Sequence, residues 1–338
     1  MKTSYGFLPS GQEAFLYKIS CGKMSAQVSD FGATLVRLFV PDRQGNVDDV
    51  VLGFGDVNDC RTSTTYLGAT VGRNANRIAK GRFMLGERPV QLPINNRSNN
   101  LHSGPDSYAF RLWQVENWEE SQITFSLFSP DGDQGFPGNA EIRVTYSLEY
   151  PGKLRIIYDA ISDRDTVFNM TNHSYFNLAG HHKPEKAMDQ ILMLTARFYT
   201  FSDEESVPTG QLRSVEGTPM DFRVPKPIGR DIGEDFDSLK LQKGYDHNFE
   251  AFADPCAILT DPVSGRTMAI STDCPGLQVY SGNFFSGEQG KDGVRYCHRG
   301  GVALETQYYP DSVNHPEWPQ PVYKAGEKYH SETVYTFK

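Results

Sequence analysis

Short apolar or alternating stretches recur along the chain between turn signals. Examples are AQVSDFGATLVRLFVPD (26–42), VDDVVLGF (47–54), ITFSLFSPDG (123–132), AEIRVTYSLEYPGKLRIIYDAIS (140–162), DQILMLTARFYTF (189–201) and GLQVYSGNFF (276–285). They are rich in Val, Ile, Phe, Tyr and Thr, which suit a pleated, half-buried surface, and several end in Pro-Asp, Asp-Gly or Pro-Gly. The segments flanking Tyr150-Pro151-Gly152-Lys153 read as a hairpin. Helical spacing is scarce, and its best stretch, PIGRDIGEDFDSLKLQ (227–242), is short. A sheet must bury one face, and without helices to cover it that face meets another sheet. The pattern therefore predicts an all-β chain, a large antiparallel β-sandwich with few short helices. No internal repeat or Gly/Ser linker interrupts residues 1–338, which read as a single domain.

Composition agrees with that picture. The 338 residues are 38% hydrophobic and 22% charged, long enough to bury a sizeable core, with 31 Gly and 20 Pro for turns. A net charge of −9 argues against nucleic acid and anionic membrane as partners, because both demand a positive footprint. Arg73, Arg77, Lys80 and Arg82 form only a short basic stretch, read as a solvated strand-loop edge. Five scattered cysteines without a CxxC suggest reduced thiols, hence a cytoplasmic protein. The N-terminal stretch lacks the apolar core of a secretory signal, and no run approaches the ~18–20 apolar residues of a membrane helix.

Five segments carry candidate chemistry. In FNMTNHSYFNL (168–178), a strand would align Asn169, Thr171, His173, Tyr175 and Asn177 on one face, and Phe168, Met170, Asn172, Ser174, Phe176 and Leu178 on the other. The first row is hydrogen-bonding but uncharged, with a histidine at its centre; read alone, that histidine is a satisfied structural group. In GVALETQYYP (301–310), Glu305 stands in an otherwise mostly apolar strand. Burial would make it a base poised nearer neutrality; an ion pair or an outward-facing side chain is the structural alternative. NNRSNNLHSG (95–104) is dense in amides and contains His102, and by itself reads as a turn. VGRNANRIAKGRF (71–83) lacks a GxGxxG, but its Asn76-Arg77 pair can donate several hydrogen bonds to polyol oxygens. GYDHNF (244–249) sets Asp246 beside aromatic residues. There is no HxH, HExxH or Cys/His ligand spacing and no GxSxG, so neither a metal nor a serine hydrolase is expected.

Taken in order, VGRNANRIAKGRF, NNLHSG, SPDGDQGFPGNAEIRVTYSL, TNHSYFNLAG, VPTGQL, GTPMDFR, GYDHNF and LETQYYPDSVNHPEW resemble the aldose 1-epimerase (galactose mutarotase) family from about residue 71 to 320. The resemblance implies a β-sandwich of the galactose mutarotase type, with a sugar cleft across a concave sheet face. It implies interconversion of the anomers of free aldohexoses without metal or organic cofactor, by a monomer or homodimer. Matched motif to motif, Glu305 takes the role of catalytic base and His173 that of acid. Asn76, Arg77, His102 and Asp246 take the role of sugar-binding residues. The chain departs from the family after Leu-His: HSGPDSYAFRLW (102–113) stands where Gly-Gly and then Gly-Phe-Asp-Lys are usual. That loop is expected to tune which sugar is preferred, not the reaction. The alternatives are a hexose-6-phosphate 1-epimerase, with Arg73, Arg82 and Arg111 as its phosphate-binding cations, or a non-catalytic carbohydrate-binding sandwich.

Overall fold

Antiparallel strands dominate the computed structural model, which describes residues 1–338. The largest sheet has nine strands, in the spatial order 114–118, 122–129, 140–149, 153–162, 328–337, 267–272, 257–260, 191–194 and 226–227. A six-stranded sheet runs 175–176, 302–307, 276–280, 246–250, 198–202 and 208–214. An N-terminal sheet of five consecutive strands spans residues 2–49. No helix is long and apolar enough to cross a membrane.

Alternation decides what each strand turns inward. In Ala140–Glu149, Ala140, Ile142, Val144 and Tyr146 are buried while Glu141 and Arg143 face solvent. In Lys328–Phe337 the inward set includes Tyr329, Tyr335 and Phe337. These rows meet Phe249, Leu277, Val279, Val302 and Leu304 of the six-stranded sheet in one cluster of 52 buried residues. Each large side chain fully buried there contributes about 1.5–3 kcal/mol of transfer free energy, which makes this interface the main source of stability. The expected hairpin is present, with Glu149 paired to Lys153.

Three departures from the sequence pattern have physical causes. Residues 26–42 form two strands, Met24–Ser29 and Thr34–Pro41. They are turned by Gly32 at φ +69°, where a Cβ would lie 2.5 Å from the Ala109 carbonyl oxygen. Residues 189–201 serve two sheets: Ile191–Leu194 lies in the nine-stranded one and Phe198–Ser202 in the six-stranded one. Both halves are apolar, so hydrophobicity carries no signal at the crossing. α-Helix is confined to Asp237–Gln242 within the expected stretch, and to Val57–Thr62, capped by the Asp56 side chain accepting from Asn58 N.

The basic stretch is a solvated edge only in part: Lys80 and Arg82 are exposed, whereas Arg77 is half-buried and Arg73 is interior. Arg73 is 1% exposed and donates to Ser129 Oγ (2.6 Å), Pro137 O (2.8 Å) and Thr166 Oγ1 (3.0 Å). Arg111 is paired with Asp133 through two 2.7 Å contacts. Arg82 lies in a separate two-stranded sheet with Arg88–Gln91. Of the three cations weighed as a phosphate pocket, Arg73 and Arg111 are thus already committed, both to the Ser129–Asp133 network, and none of the three lines the cleft described below.

Candidate active site

Strand register builds the site. Across the six-stranded sheet, Tyr175 pairs with Ala303, Ala303 with Tyr280, and Tyr280 with Asp246. One pleat repeat along, Glu305 pairs with Gln278 and Gln278 with Asn248. Because alternate residues point to opposite faces, the intervening Val302, Leu304, Leu277 and Val279 enter the core. Glu305 thus stands on the other face, in a strand buried along its whole length.

Residues 168–178 are not one strand. Thr171–Asn172 pairs with Thr70–Val71, whereas Tyr175–Phe176 pairs with Val302–Ala303. The break falls at His173, whose amide donates to Ala69 O (2.9 Å) and whose carbonyl accepts from Gly68 N (3.0 Å). Extending the Tyr175–Ala303 register back by two residues brings His173 opposite Glu305. The two-face expectation holds for Phe168, Met170, Phe176 and Leu178, all in the core, and for His173 and Tyr175, which line a cleft. It fails for Asn169 and Asn177, whose side chains bond Tyr308 N (2.9 Å) and Lys183 O (2.8 Å). Asn172 turns away as expected of its row, donating to Gly68 O (2.9 Å) and Tyr146 Oη (3.1 Å).

The cleft, about 350 Å³, is lined by Asn76, Arg77, His102, His173, Asp246 and Glu305 together. His173 Nε2 lies 3.7 Å from Glu305 Oε1, with both side chains buried. That separation is too long for a hydrogen bond, so neither group is committed to the other. His102 Nδ1 accepts from Asn76 N at 3.1 Å, which leaves Nε2 to carry the proton of the neutral ring. Asn76 Oδ1 accepts from Arg77 N (2.8 Å), and Arg77 Nε donates to Asn96 Oδ1 (3.2 Å). Gln278 Nε2 donates to Asp246 Oδ1 at 2.6 Å. Asn76, His102 and Ser103 have φ of +62°, +51° and +71°, a cluster of left-handed backbone at the cleft wall.

Burial sets the electrostatics. Burial lowers the His173 pKa to about 4 and carries His102 well below the imidazole range, with His173 and Arg77 adding repulsion at His102. Burial lifts Glu305 well above the carboxylate range, reinforced by Asp246 and opposed by Arg77. Asp246 is raised for the same first reason, against the pull of Arg77 and Gln278. Glu305 Oε2, His173 Nδ1 and Gln278 Oε1 are buried without a protein partner. Buried polar atoms are seldom left so, and hydroxyls of a polyol would satisfy them. His102, His173 and Glu305 each offer a ligand atom within 4.8 Å of the others. Two imidazoles and a carboxylate are a donor set that can accommodate a divalent cation, although no metal-ligand spacing shows in the sequence.

Several lining residues carried no sequence signal: Tyr66, Tyr280, Phe284, Phe285 and Glu288. They sit on loops or on strands whose motif reading stopped elsewhere, and an aromatic side chain reads as core until its face is known. Asn95 and Asn96 do belong to the amide-rich segment. The divergent loop 103–111 lines none of the cleft. Ser103 instead bonds both backbone groups of Asn74 (2.7 and 3.0 Å), Tyr108 Oη accepts from Arg73, and Phe110 packs on Tyr66.

A family model described as aldose 1-epimerase matches residues 16–336. The chain is 39% identical over 345 residues to a galactose mutarotase of Mus musculus, covering 99% of this chain and 98% of that one. It is 39% identical over 320 residues to an aldose 1-epimerase of Haemophilus influenzae, covering 93% of each. Among solved structures, an aldose epimerase homologue from C. elegans superposes with a TM-score of 0.88 at 29% identity, covering 96% of this chain and 99% of that one.

Proposed function

The chain belongs to the aldose 1-epimerase family, and on that premise we propose that it interconverts the α and β anomers of free aldohexoses such as glucose or galactose. The observation that carries the reading is the His173–Glu305 pair, 3.7 Å apart with both side chains buried, in a cleft that also presents Asn76, Arg77, His102 and Asp246.

Ring opening needs a proton removed from the C1 hydroxyl and one delivered to the ring oxygen. Glu305 takes the first as general base and His173, protonated, gives the second as general acid. The bond between C1 and the ring oxygen breaks, leaving an aldehyde and a free hydroxyl at C5. Rotation about C1–C2 turns the other aldehyde face toward that hydroxyl. On closure the transfers reverse: His173 recovers its proton and protonated Glu305 returns one to the carbonyl oxygen. The pair finishes with the proton inventory it began with, so no co-reactant is consumed. Asn76, Arg77, His102 and Asp246 hold the hydroxyls, and the Arg77 guanidinium stabilises negative charge developing on a sugar oxygen.

A phosphorylated aldose is disfavoured by charge. Asp246, Glu288 and Glu305 face the cleft with Arg77 as its one fixed cation. A purely sugar-binding sandwich has no use for an acid/base pair. We take residues 1–338 to act as one unit, since the main core draws on residues from Tyr17 to Phe337. The five unpaired cysteines suit a reducing compartment such as the cytoplasm.

Polarimetry on freshly dissolved α-D-glucose and α-D-galactose tests the reading. The protein is expected to accelerate mutarotation, and Glu305→Gln and His173→Asn are each expected to lose at least ~100-fold in kcat with the fold retained. A wild-type rate no faster than the spontaneous one on every aldose tried would overturn the proposal. Faster turnover of glucose 6-phosphate than of glucose would transfer it to the phosphate-specific activity.

A further inference from the structure

Tyr66 stands out because its backbone and its ring tell one story. Its φ is +55°, a left-handed conformation that a bulky aromatic residue adopts only against a steric cost. Such outliers persist where the surroundings over-determine them, and they gather at functional sites. The surroundings are explicit here. Ala69 N donates to Tyr66 O at 3.0 Å, closing a tight turn, and Gly68 in that turn has φ +71° with the Leu35 carbonyl oxygen 2.1 Å from where a Cβ would sit. The same turn is fastened to His173 itself, through Gly68 N to His173 O (3.0 Å) and His173 N to Ala69 O (2.9 Å). Asn172 adds a third tie, donating to Gly68 O at 2.9 Å.

The ring completes the arrangement. Tyr66 stacks on the His173 imidazole at 5.9 Å with an interplanar angle of 20°, and Tyr175 stacks on the same imidazole at 5.0 Å and 28°. Tyr66 also lies 4.7 Å from the His102 ring and is backed by Phe110 at 5.3 Å. His173 has no hydrogen bond at Nδ1 to fix its orientation. An imidazole without such an anchor is held by packing alone, and near-parallel rings fix the plane in which Nε2 points.

We propose that Tyr66 is a positioning residue for the reaction: it fixes the plane of the His173 imidazole, so that Nε2 is aimed at the sugar ring oxygen beside Glu305. The strained backbone is the cost of delivering an aromatic ring to that place from a turn bonded to His173. The role rests on the reading of His173 as the acid. It also gives the divergent loop a route to the site, since Phe110 packs on Tyr66.

The test uses residues tolerant of the left-handed conformation. Glycine relieves the backbone strain at position 66 while removing the ring, so a purely conformational role predicts a Tyr66→Gly enzyme as active as wild type. Positioning predicts that Tyr66→Gly loses ~10- to 100-fold in kcat with KM changed by less than about 3-fold, because misalignment of a proton donor penalises the transition state and not the ground-state complex. Tyr66→Phe keeps the ring and is expected within about 2-fold of wild type in both constants. Tyr66→Asn, also tolerant of this backbone, is the second ring-free variant, and circular dichroism and urea denaturation report folding for each. Wild-type kcat in either ring-free variant overturns the proposal. So does a loss falling wholly in KM, a Tyr66→Phe enzyme as poor as Tyr66→Gly, or failure of both ring-free variants to fold. His173→Asn is measured alongside: if that enzyme keeps the wild-type rate, the error lies in the reading of the acid and not in Tyr66 alone.

Discussion

Burial drives the pKa values of His173 and Glu305 in opposite directions, and their pH behaviour follows. An imidazole lowered to about 4 and a carboxyl raised well above its usual range hold one proton between them across neutrality, at rest on Glu305; the reacting form is the tautomer of equal charge, with that proton on His173 and Glu305 ionised. A second proton binds as pH falls through about 4, leaving no base, and the last is lost as pH rises through the elevated Glu305 value. The expected kcat profile on glucose is therefore flat through neutrality with an acid limb near pH 4; a limb near 6.5, the ordinary imidazole value, would contradict it. Stability is linked to the same group. The unfolded chain binds a proton on this histidine from pH 6.5 downward while the folded one resists until about 4, so acidification through that window favours unfolding, by at most about 3 kcal/mol. Glu305 and His173 were legible in the sequence as an odd carboxylate in an apolar strand and an odd histidine in a polar row. Their burial and mutual distance were not, because both depend on residues more than a hundred positions apart. Tyr66 was not legible at all, since nothing in a Thr-Thr-Tyr-Leu-Gly stretch marks its φ or its neighbours.

At the scale of elements, the site is a property of register. The antiparallel pairing of residues 246–250, 276–280 and 302–307 sets Asp246, Gln278 and Glu305 on one face, with Gln278 bonded to Asp246 at 2.6 Å. Gln278→Leu removes that donor and leaves Asp246 free to turn from the sugar. A hydrogen bond to a charged group is worth ~1.5–3 kcal/mol, so KM for glucose is expected to rise ~10-fold or more while kcat falls less than about 3-fold. A kcat loss as large as that of Glu305→Gln would show instead that Gln278 acts on the base. Alternation in GVALETQYYP already divided Val302, Leu304 and Thr306 from Ala303, Glu305 and Gln307, which is why this strand was readable. The crossing within 189–201 and the break at His173 were not, because a strand's own side chains do not say which neighbour it pairs with.

Across the whole molecule, buried charge ties the N-terminal sheet to the loop that carries Glu288 into the cleft. Lys291 Nζ donates to Asp49 Oδ2 at 2.7 Å and to Val36 O at 2.6 Å, and Asp49 also meets Arg37 at 3.4 Å. Both Asp49 and Lys291 are almost fully buried. Asp49→Ala strands the ammonium in the interior and is expected to cost ~3–5 kcal/mol by urea denaturation, whereas adding Lys291→Met should recover much of it. With Lys291→Met measured alone, a double variant whose loss equals the sum of the two single losses would show the pair to be uncoupled. The sequence by itself determined the class of the fold, because the period of apolar residues and the placing of turn formers act locally. It also determined the kinds of chemical group available and, through ordered motifs, the family they resemble. Only the tertiary structure decided that Arg73 is an internal tie and not a surface cation, that the divergent loop stands behind the cleft wall, and that Tyr66 stacks on His173. Those facts depend on which distant segments are brought into contact, and contact, not composition, fixes burial, orientation and pKa.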